Sequence, residues 1–261
     1  MIKYIKSKGV VMIMHPANRI LSMAGLRLIK ASPSKVPGAF LSNYKKNLER
    51  LKKEPGAFNV LEQMYYDAGD HPENYIDYEC IFTSKHINKI KPNNILDIGS
   101  YRHFLIGLLS YYPVTSIDVR ERLPLSDNET VVTCDAKKLA IPDNSFDIVT
   151  SLCAIEHFGL GRYGDEFDVN ADKKAISEMI RVIKPGGYFI FTTTITNAPP
   201  SIVFNAHRIY SHDMIKKFCS NLILIEEIAF SHNINDFCAI NKATSEPYIW
   251  DVYCGCWRKP I

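Results

Sequence analysis

The sequence predicts an α/β fold, a mostly parallel sheet with helices on both faces. Three observations lead there. From Ile95 onward, short apolar runs alternate with helical patterns, as expected of strands joined by crossover helices. Successive runs close on or beside an acidic residue, at Asp97, Asp118 and Asp135, and ligands bind at the carboxyl ends of strands in such sheets. Finally, Pro185-Gly186-Gly187 separates a helical pattern from a strongly apolar run, as a sharp helix stop before a buried strand would.

Each element has its own signal. ILDIG, from Ile95, is an apolar run ending at a turn glycine and forms the first strand. Phe104 to Tyr112 supplies a helix, VTSIDV the second strand, VVTCDA the third and FDIVTSL the fourth. Between Ala171 and Ile183, the residues Ile176, Met179, Ile180 and Ile183 fall on one helical face. YFIFTTT then gives the fifth strand, and NLILIEEIAF and YIWDVYCGCW two more.

A chain of 261 residues, 46% hydrophobic and 23% charged, suits a soluble globular protein with one large domain or a core and an appendage. The expected division is a basic helical extension and lid over residues 1–90, followed by the main domain over 91–261. No apolar run approaches the roughly 20 residues that span a bilayer, and the start shows no small-residue cleavage site. Seven cysteines, an odd number, suit reduced thiols and a cytoplasmic protein. Cys254 and Cys256 lack a second pair at zinc-binding spacing and read as alternate positions on a terminal strand.

Charge is unevenly distributed. Residues 1–53 carry twelve Lys or Arg against Glu49 alone, whereas the rest of the chain carries 19 basic and 27 acidic residues. The basic segment is expected to meet something anionic, either the acidic remainder of the chain, a peripheral membrane surface or a protein partner. Nucleic acid is not expected, because no basic and aromatic recognition module is present. Within the segment, Tyr44, Leu48 and Leu51 share one helical face, and Ile20, Met23, Ala24 and Leu28 suggest another helix over residues 16–30. Residues 54–90 hold Tyr65, Tyr66, Tyr75 and Tyr78 among Asp67, Asp70, His71, Glu73 and Asp77. That mixture suits a polar ligand such as a sugar, or an interface with the basic segment.

EMIRVIKPGGYFIFTT, Glu178 to Thr193, resembles the helix, proline-glycine turn and fifth strand of class I methyltransferases. LAIPDNSFDIVTSLCAIEH, Leu139 to His157, resembles the same family's run into strand four and the loop after it. The resemblance covers roughly residues 95–193. It implies a Rossmann-like seven-stranded sheet with an antiparallel last strand, S-adenosylmethionine as cofactor, and methyl transfer as the activity. In one place the chain departs from the family. The first turn usually reads D-x-G-x-G-x-G, but here Gly99 stands while Tyr101 and His103 replace the second and third glycines. A side chain forced into the left-handed region costs about 1–2 kcal/mol, so a reshaped loop is expected. Tyr101, Arg102 and His103 would then cover the cofactor, meet the substrate or fill the pocket.

The family's cofactor positions carry over one at a time. Asp97, Gly99, Ser100 and Tyr101 make the turn. Asp118, about twenty residues beyond Gly99, stands where an acidic side chain binds ribose hydroxyls. The resemblance puts Asp135 near the adenine amine, Cys134 and Ala136 beside the base, and Ser151 and Leu152 at the methionine end.

GLGRYGDEFD (Gly159 to Asp168) and FNAHRIYS (Phe204 to Ser211) resemble a branch of methyltransferase-like proteins associated with bacterial surface-polysaccharide gene sets. That branch implies O-methylation of a small-molecule or glycan acceptor: a sugar, a nucleotide-linked sugar or a phosphorylated group. A hydroxyl acceptor benefits from a general base. His157, directly after strand four, is the first candidate and His207 the second, with Glu156 or Asp165 orienting an imidazole or acting as base. Arg162 and Arg208 suit a phosphate or carboxylate, and Tyr163, Tyr210 and His103 complete the expected substrate contacts. No metal is expected, since Glu156, His157, Asp165, Asp168 and Asp172 fall at irregular spacing. The rival from another class is a non-catalytic binding or scaffold protein that keeps the fold. The altered glycines favour it, and the strand-end aspartates oppose it.

Overall fold

The computed structural model describes residues 36–65 and 74–261. The chain forms two compact units, residues 1–71 and 72–261. In the first, helix α1 (Gly38–Lys53) has Arg50, Lys52 and Lys53 in its last turn, where cations meet the negative end of the helix dipole. Lys52 pairs with Glu49 at 3.3 Å and with Glu62 at 2.7 Å. Tyr44 and Leu48 are half-buried on the expected face, but Leu51 is exposed. The helical pattern over residues 16–30, the first 35 residues of the basic segment, and Tyr66, Asp67, Asp70, His71 and Glu73 lie outside the described residues. Among the described residues, no helix is long and apolar enough to cross a membrane.

The second unit begins with α2 (Tyr75–Ile90), whose start is fixed by a reciprocal cap between Asn74 and Asp77. This helix packs on the sheet, so the division between units falls between His71 and Pro72 and not at residue 90. Then follow β1 (Ile95–Ile98), α3 (Arg102–Leu109), β2 (Val114–Asp118), β3 (Glu129–Thr133), β4 (Phe146–Leu152), α4 (Ala171–Val182) and β5 (Ile183–Ile195). A small hairpin, β6 (Ser201–Val203) and β7 (His207–Ile209), precedes α5 (His212–Phe218), β8 (Ile223–Ser231), β9 (Asp236–Cys238) and β10 (Asp251–Arg258).

The sheet order is β3-β2-β1-β4-β5-β10-β8-β9. Strands β1 to β5 are parallel, and β10 runs antiparallel between β5 and β8. Seven strands match the expected architecture. The eighth, β9, extends the edge by hairpin pairing with β8, and neither it nor the β6–β7 hairpin was foreseen. Every residue of β1 is buried, as expected of a central parallel strand covered on both faces. On one face lie Phe82 and Ile87 of α2 with Phe104, Leu105 and Leu108 of α3. On the other lie Ala175, Ile176 and Met179 of α4 with Ile215 of α5.

Pro185-Gly186-Gly187 does not itself end the helix. Helix α4 stops at Val182, and the three residues form an irregularity inside β5, where the partners of Phe146 and Ile148 are Ile183 and Tyr188. Gly186 there has φ +77°, and a Cβ on Gly187 would sit 2.8 Å from the Asp147 carbonyl oxygen. The Lys259 ammonium donates to the carbonyls of Ile180, Arg181 and Ile183 at 3.0, 3.2 and 2.7 Å, so a distant cation caps the end of α4. Strand order reverses between β1 and β4, and the crevice beyond their carboxyl ends is the natural ligand position.

Candidate active site

A cavity opens at that crevice, about 640 Å³ including its mouth, within the usual range for small-molecule sites. Its lining includes Gly99, Asp118, Cys134, Asp135, Ala136, Cys153, His157, Tyr163 and Asp165. The turn after β1 needs only one glycine. Gly99 has φ +72°, and a Cβ there would lie 3.0 Å from that of Ala154. Tyr101, at φ −60°, is the N-cap of α3. Tyr101 and His103 therefore sit at the start of a helix, at no cost in backbone strain, and the expected penalty does not arise.

The side chains after Gly99 leave the cavity. Tyr101 is 46% exposed and packs on His103 at 5.3 Å between ring centres. His103 lines a separate hollow with Asn88, Gly107 and Tyr111. Arg102 turns to Glu129, which also binds Arg122 and the Ser116 hydroxyl. These partners hold the Glu129 carboxylate down at about 2 despite the opposing effect of burial.

Asp97, Ser100, Ser151 and Leu152 lie behind the cavity wall and stitch β1 to β4. Asp97 accepts from the Ser100 N–H at 3.1 Å and the Thr150 hydroxyl at 2.7 Å, while burial pushes its carboxyl up to about 6. Ser100 Oγ accepts from the Leu152 N–H at 3.0 Å, and the Ser151 hydroxyl donates to the Ile98 carbonyl at 2.8 Å.

Asp118 and Asp135 both face the cavity. Burial opposes ionisation of Asp118, but hydrogen bonds from Arg120 outweigh it and hold the carboxyl below its ordinary value. Asp135 accepts from the Lys137 N–H at 2.8 Å. Asp165 lines the cavity too, yet its oxygens take the N–H groups of Gly159 and Tyr163 at 2.6 and 3.2 Å. It braces the loop after β4.

His157 Nδ1 lies 2.5 Å from the Ala206 carbonyl oxygen. A carbonyl only accepts, so Nδ1 carries the proton and Nε2 presents its lone pair. Burial pushes this imidazole down to about 4, leaving it neutral and weakly basic. Arg162 Nη1 is 3.4 Å from the same carbonyl. The His207 ring lies 6.2 Å from that of His157 and 5.7 Å from Trp250, and its buried Nε2 has no partner among the described residues.

Two expected substrate contacts are part of the frame. Arg208 is 5% exposed. Its guanidinium donates to the carbonyls of Phe158 and Val169 at 2.7 and 3.2 Å and pairs with Asp172 at 3.5 Å. Tyr210 is 1% exposed and donates to Asp172 at 3.0 Å. With their polar atoms committed to protein partners, they clamp the loops after β4 and β5 and offer nothing to an acceptor.

Glu156, expected to orient an imidazole or act as base, is bonded instead to a threonine of β5, and Glu79, which the sequence did not single out, is bonded to the threonine before it. Glu79 of α2 is buried and accepts from the Thr192 hydroxyl at 2.5 Å; Glu156 is buried and accepts from Thr193 at 3.0 Å. Burial drives both carboxyls upward, to about 7 and about 8. Tyr75 lies within the field of both and packs edge-on to Trp250 at 5.7 Å. For Glu79, the only signal in the sequence was the aromatic and acidic richness of the segment before β1.

Known proteins resemble parts of this chain in sequence and its fold in structure. Residues 96–191 match the family model of the methyltransferase domain. A malonyl-[acyl-carrier protein] O-methyltransferase of a Marinomonas strain is 26% identical over 157 residues, 54% of each chain. A ubiquinone/menaquinone biosynthesis C-methyltransferase of Pseudomonas paraeruginosa is 34% identical over 91 residues, 35% of this chain and 31% of that protein. The chain thus spans about half or less of these relatives. Among solved structures, the 1,6-didemethyltoxoflavin-N1-methyltransferase of Burkholderia thailandensis, bound to S-adenosylhomocysteine, superposes with TM-score 0.53 at 12% identity. That alignment covers 100% of this chain and 94% of the other, and at such identity it speaks for the fold. The fold and the family match define a class I methyltransferase architecture. Over residues 96–191 the chain is similar to the methyltransferase domain, and beyond them the solved structures speak for the fold.

Proposed function

We propose that the protein transfers the methyl group of S-adenosylmethionine to a small polar acceptor. One observation carries this reading: Gly99, Asp118 and Asp135 meet in a single cavity at the carboxyl ends of β1, β2 and β3. Gly99 admits close approach of the cofactor, Asp118 accepts from ribose hydroxyls, and Asp135 with Ala136 receives the adenine. The bound cofactor supplies an electrophilic methyl on a positively charged sulfur. The protein's residues position the acceptor for in-line attack.

The acceptor we favour is a hydroxyl on a sugar, a nucleotide-linked sugar or a phosphorylated group of a cell-surface glycan. Support comes from Tyr163 and His157, which line the cavity, with the Arg162 guanidinium 5.5 Å from the Tyr163 ring centre, a pairing of cation and aromatic ring suited to an anionic or sugar-bearing molecule. A cytoplasmic setting agrees with seven unpaired thiols.

Thermal melting of the full chain tests the cofactor reading. At one hundred times Kd a ligand stabilises by about 2.7 kcal/mol, or roughly 5–10 °C for a chain of this size. S-adenosylmethionine and S-adenosylhomocysteine should each raise the melting temperature on that scale. No rise with either contradicts the reading and favours a scaffold that keeps the fold without the cofactor.

A further inference from the structure

The ring of Tyr163, part of the cavity lining, carries two guanidinium groups. Arg120 lies 5.0 Å and Arg162 5.5 Å from its centre. They come from different elements, the turn after β2 and the loop after β4, and Arg120 is itself a lining residue. A guanidinium laid over an aromatic ring keeps its in-plane N–H groups for acceptors at its edge. The two charges are no farther apart than those two distances placed end to end. A diphosphate hydrogen-bonded at each end spans such a gap.

The two cations differ in what occupies those N–H groups. Arg162 donates a long bond of 3.4 Å to the Ala206 carbonyl and has no ion pair among the described residues. Arg120 is held by Asp118, through Nε at 2.9 Å and Nη2 at 2.7 Å. The other acids of the lining are committed elsewhere. Asp135 accepts from the Lys137 N–H and pairs with the Lys137 ammonium at 3.3 Å, and Asp165 accepts from the N–H groups of Gly159 and Tyr163. Asp118 is thus the one carboxylate of the lining bonded to either arginine. A ligand that takes its oxygens releases Arg120 beside Tyr163 and Arg162.

We propose that Arg120 and Arg162, set on Tyr163, bind a phosphate or diphosphate group of the acceptor, and that cofactor binding switches this site on. The inference rests on the cavity being the S-adenosylmethionine site with Asp118 on the ribose. Without cofactor, Asp118 occupies and neutralises Arg120. With the ribose hydroxyls on Asp118, the freed N–H groups of Arg120 turn to the acceptor, and the two guanidiniums hold its anion between them. Cofactor and acceptor then strengthen each other's binding, because linkage between two sites is reciprocal. Tyr163 is the positioning residue, since its ring keeps both cations beside the cavity. The acceptor class narrows accordingly to phosphorylated molecules, a nucleotide-linked sugar among them, over neutral sugars.

Inorganic pyrophosphate is the probe, so the acceptor itself is not needed. Calorimetric titration of the full chain with pyrophosphate, alone and with saturating S-adenosylhomocysteine, should show affinity about fivefold or more higher in the second case. Arg120→Ala should remove that rise. Arg162→Ala should weaken pyrophosphate roughly tenfold with S-adenosylhomocysteine present. Both side chains are exposed, so neither change threatens the fold. Equal or weaker affinity in the presence of S-adenosylhomocysteine overturns the inference, as does a rise that survives in Arg120→Ala. Binding that ignores Arg162→Ala overturns it too, by placing pyrophosphate elsewhere, such as on the basic residues of 1–53, and so does a lack of pyrophosphate binding in both conditions. Failure of S-adenosylhomocysteine to bind overturns the cofactor reading itself, a separate result.

Discussion

The Arg120 guanidinium grips the Asp118 carboxylate through Nε at 2.9 Å and Nη2 at 2.7 Å while lying 5.0 Å from the ring centre of Tyr163. The residue suited to ribose is thus already engaged by a neighbour, and that neighbour lies over the ring of another residue of the cavity lining. A ribose hydroxyl and Arg120 compete for the same oxygens. Arg120 is 63% exposed at its side chain, so the pair is worth no more than about 1 kcal/mol.

Removing Arg120 should therefore tighten cofactor binding modestly. For Arg120→Ala we expect S-adenosylhomocysteine affinity to rise up to about fivefold, whereas Asp118→Asn should weaken it roughly tenfold or more, the loss of a charged hydrogen bond of about 1.5–3 kcal/mol. Calorimetry on the two variants checks this. A loss in Arg120→Ala as large as in Asp118→Asn would make Arg120 a ligand contact instead of a competitor.

Arg208→Met should unfold the protein at lower temperature. The change leaves the Phe158 and Val169 carbonyls without their donor and buried Asp172 without its cation. Breaking one side of a buried pair costs about 3–5 kcal/mol, or a fall in melting temperature on the order of 10 °C. A shift under about 2 °C would show that the clamp is dispensable.

Stability should also depend on pH in a way that identifies the acid pair. Glu79 and Glu156 are raised in the folded state by burial, so the folded protein holds protons that the unfolded chain has released. Their contribution is fully present below the ordinary glutamate range and is lost as pH rises through about 8. His157, lowered to about 4 by burial, acts oppositely, and its contribution is lost as pH falls from about 6.5 towards 4. Chemical denaturation from neutral to mildly alkaline pH should show wild type losing stability faster than Glu156→Gln. Parallel curves would mean that Glu156 ionises normally.

Much of the domain was legible because parallel sheets leave strong local marks. Asp118 and Asp135 stood out as acids closing apolar runs, and both line the cavity. His157, singled out by its place directly after β4, lines the same cavity. The turn at Gly99 misled in energy more than in place. A sequence cannot show that the next two glycine positions already belong to a helix, where Tyr101 takes an ordinary φ of −60°. Arg208 and Tyr210 looked like substrate contacts because exposure is not written in the sequence, and burial turned them into a clamp. Glu79 was hidden for the opposite reason. It lies in α2, ahead of every strand, and only the packing of that helix against β4, β5 and β10 brings it to Thr192.

The most direct measurement is a crystal structure with S-adenosylhomocysteine bound. The ribose hydroxyls should lie within hydrogen-bonding distance of Asp118, the adenine between Asp135 and the loop carrying Phe158, and the sulfur nearest Cys153, with Arg120 swung off Asp118. Ligand found outside this cavity, or within it while Arg120 still holds both oxygens of Asp118, would contradict the assignment of the site.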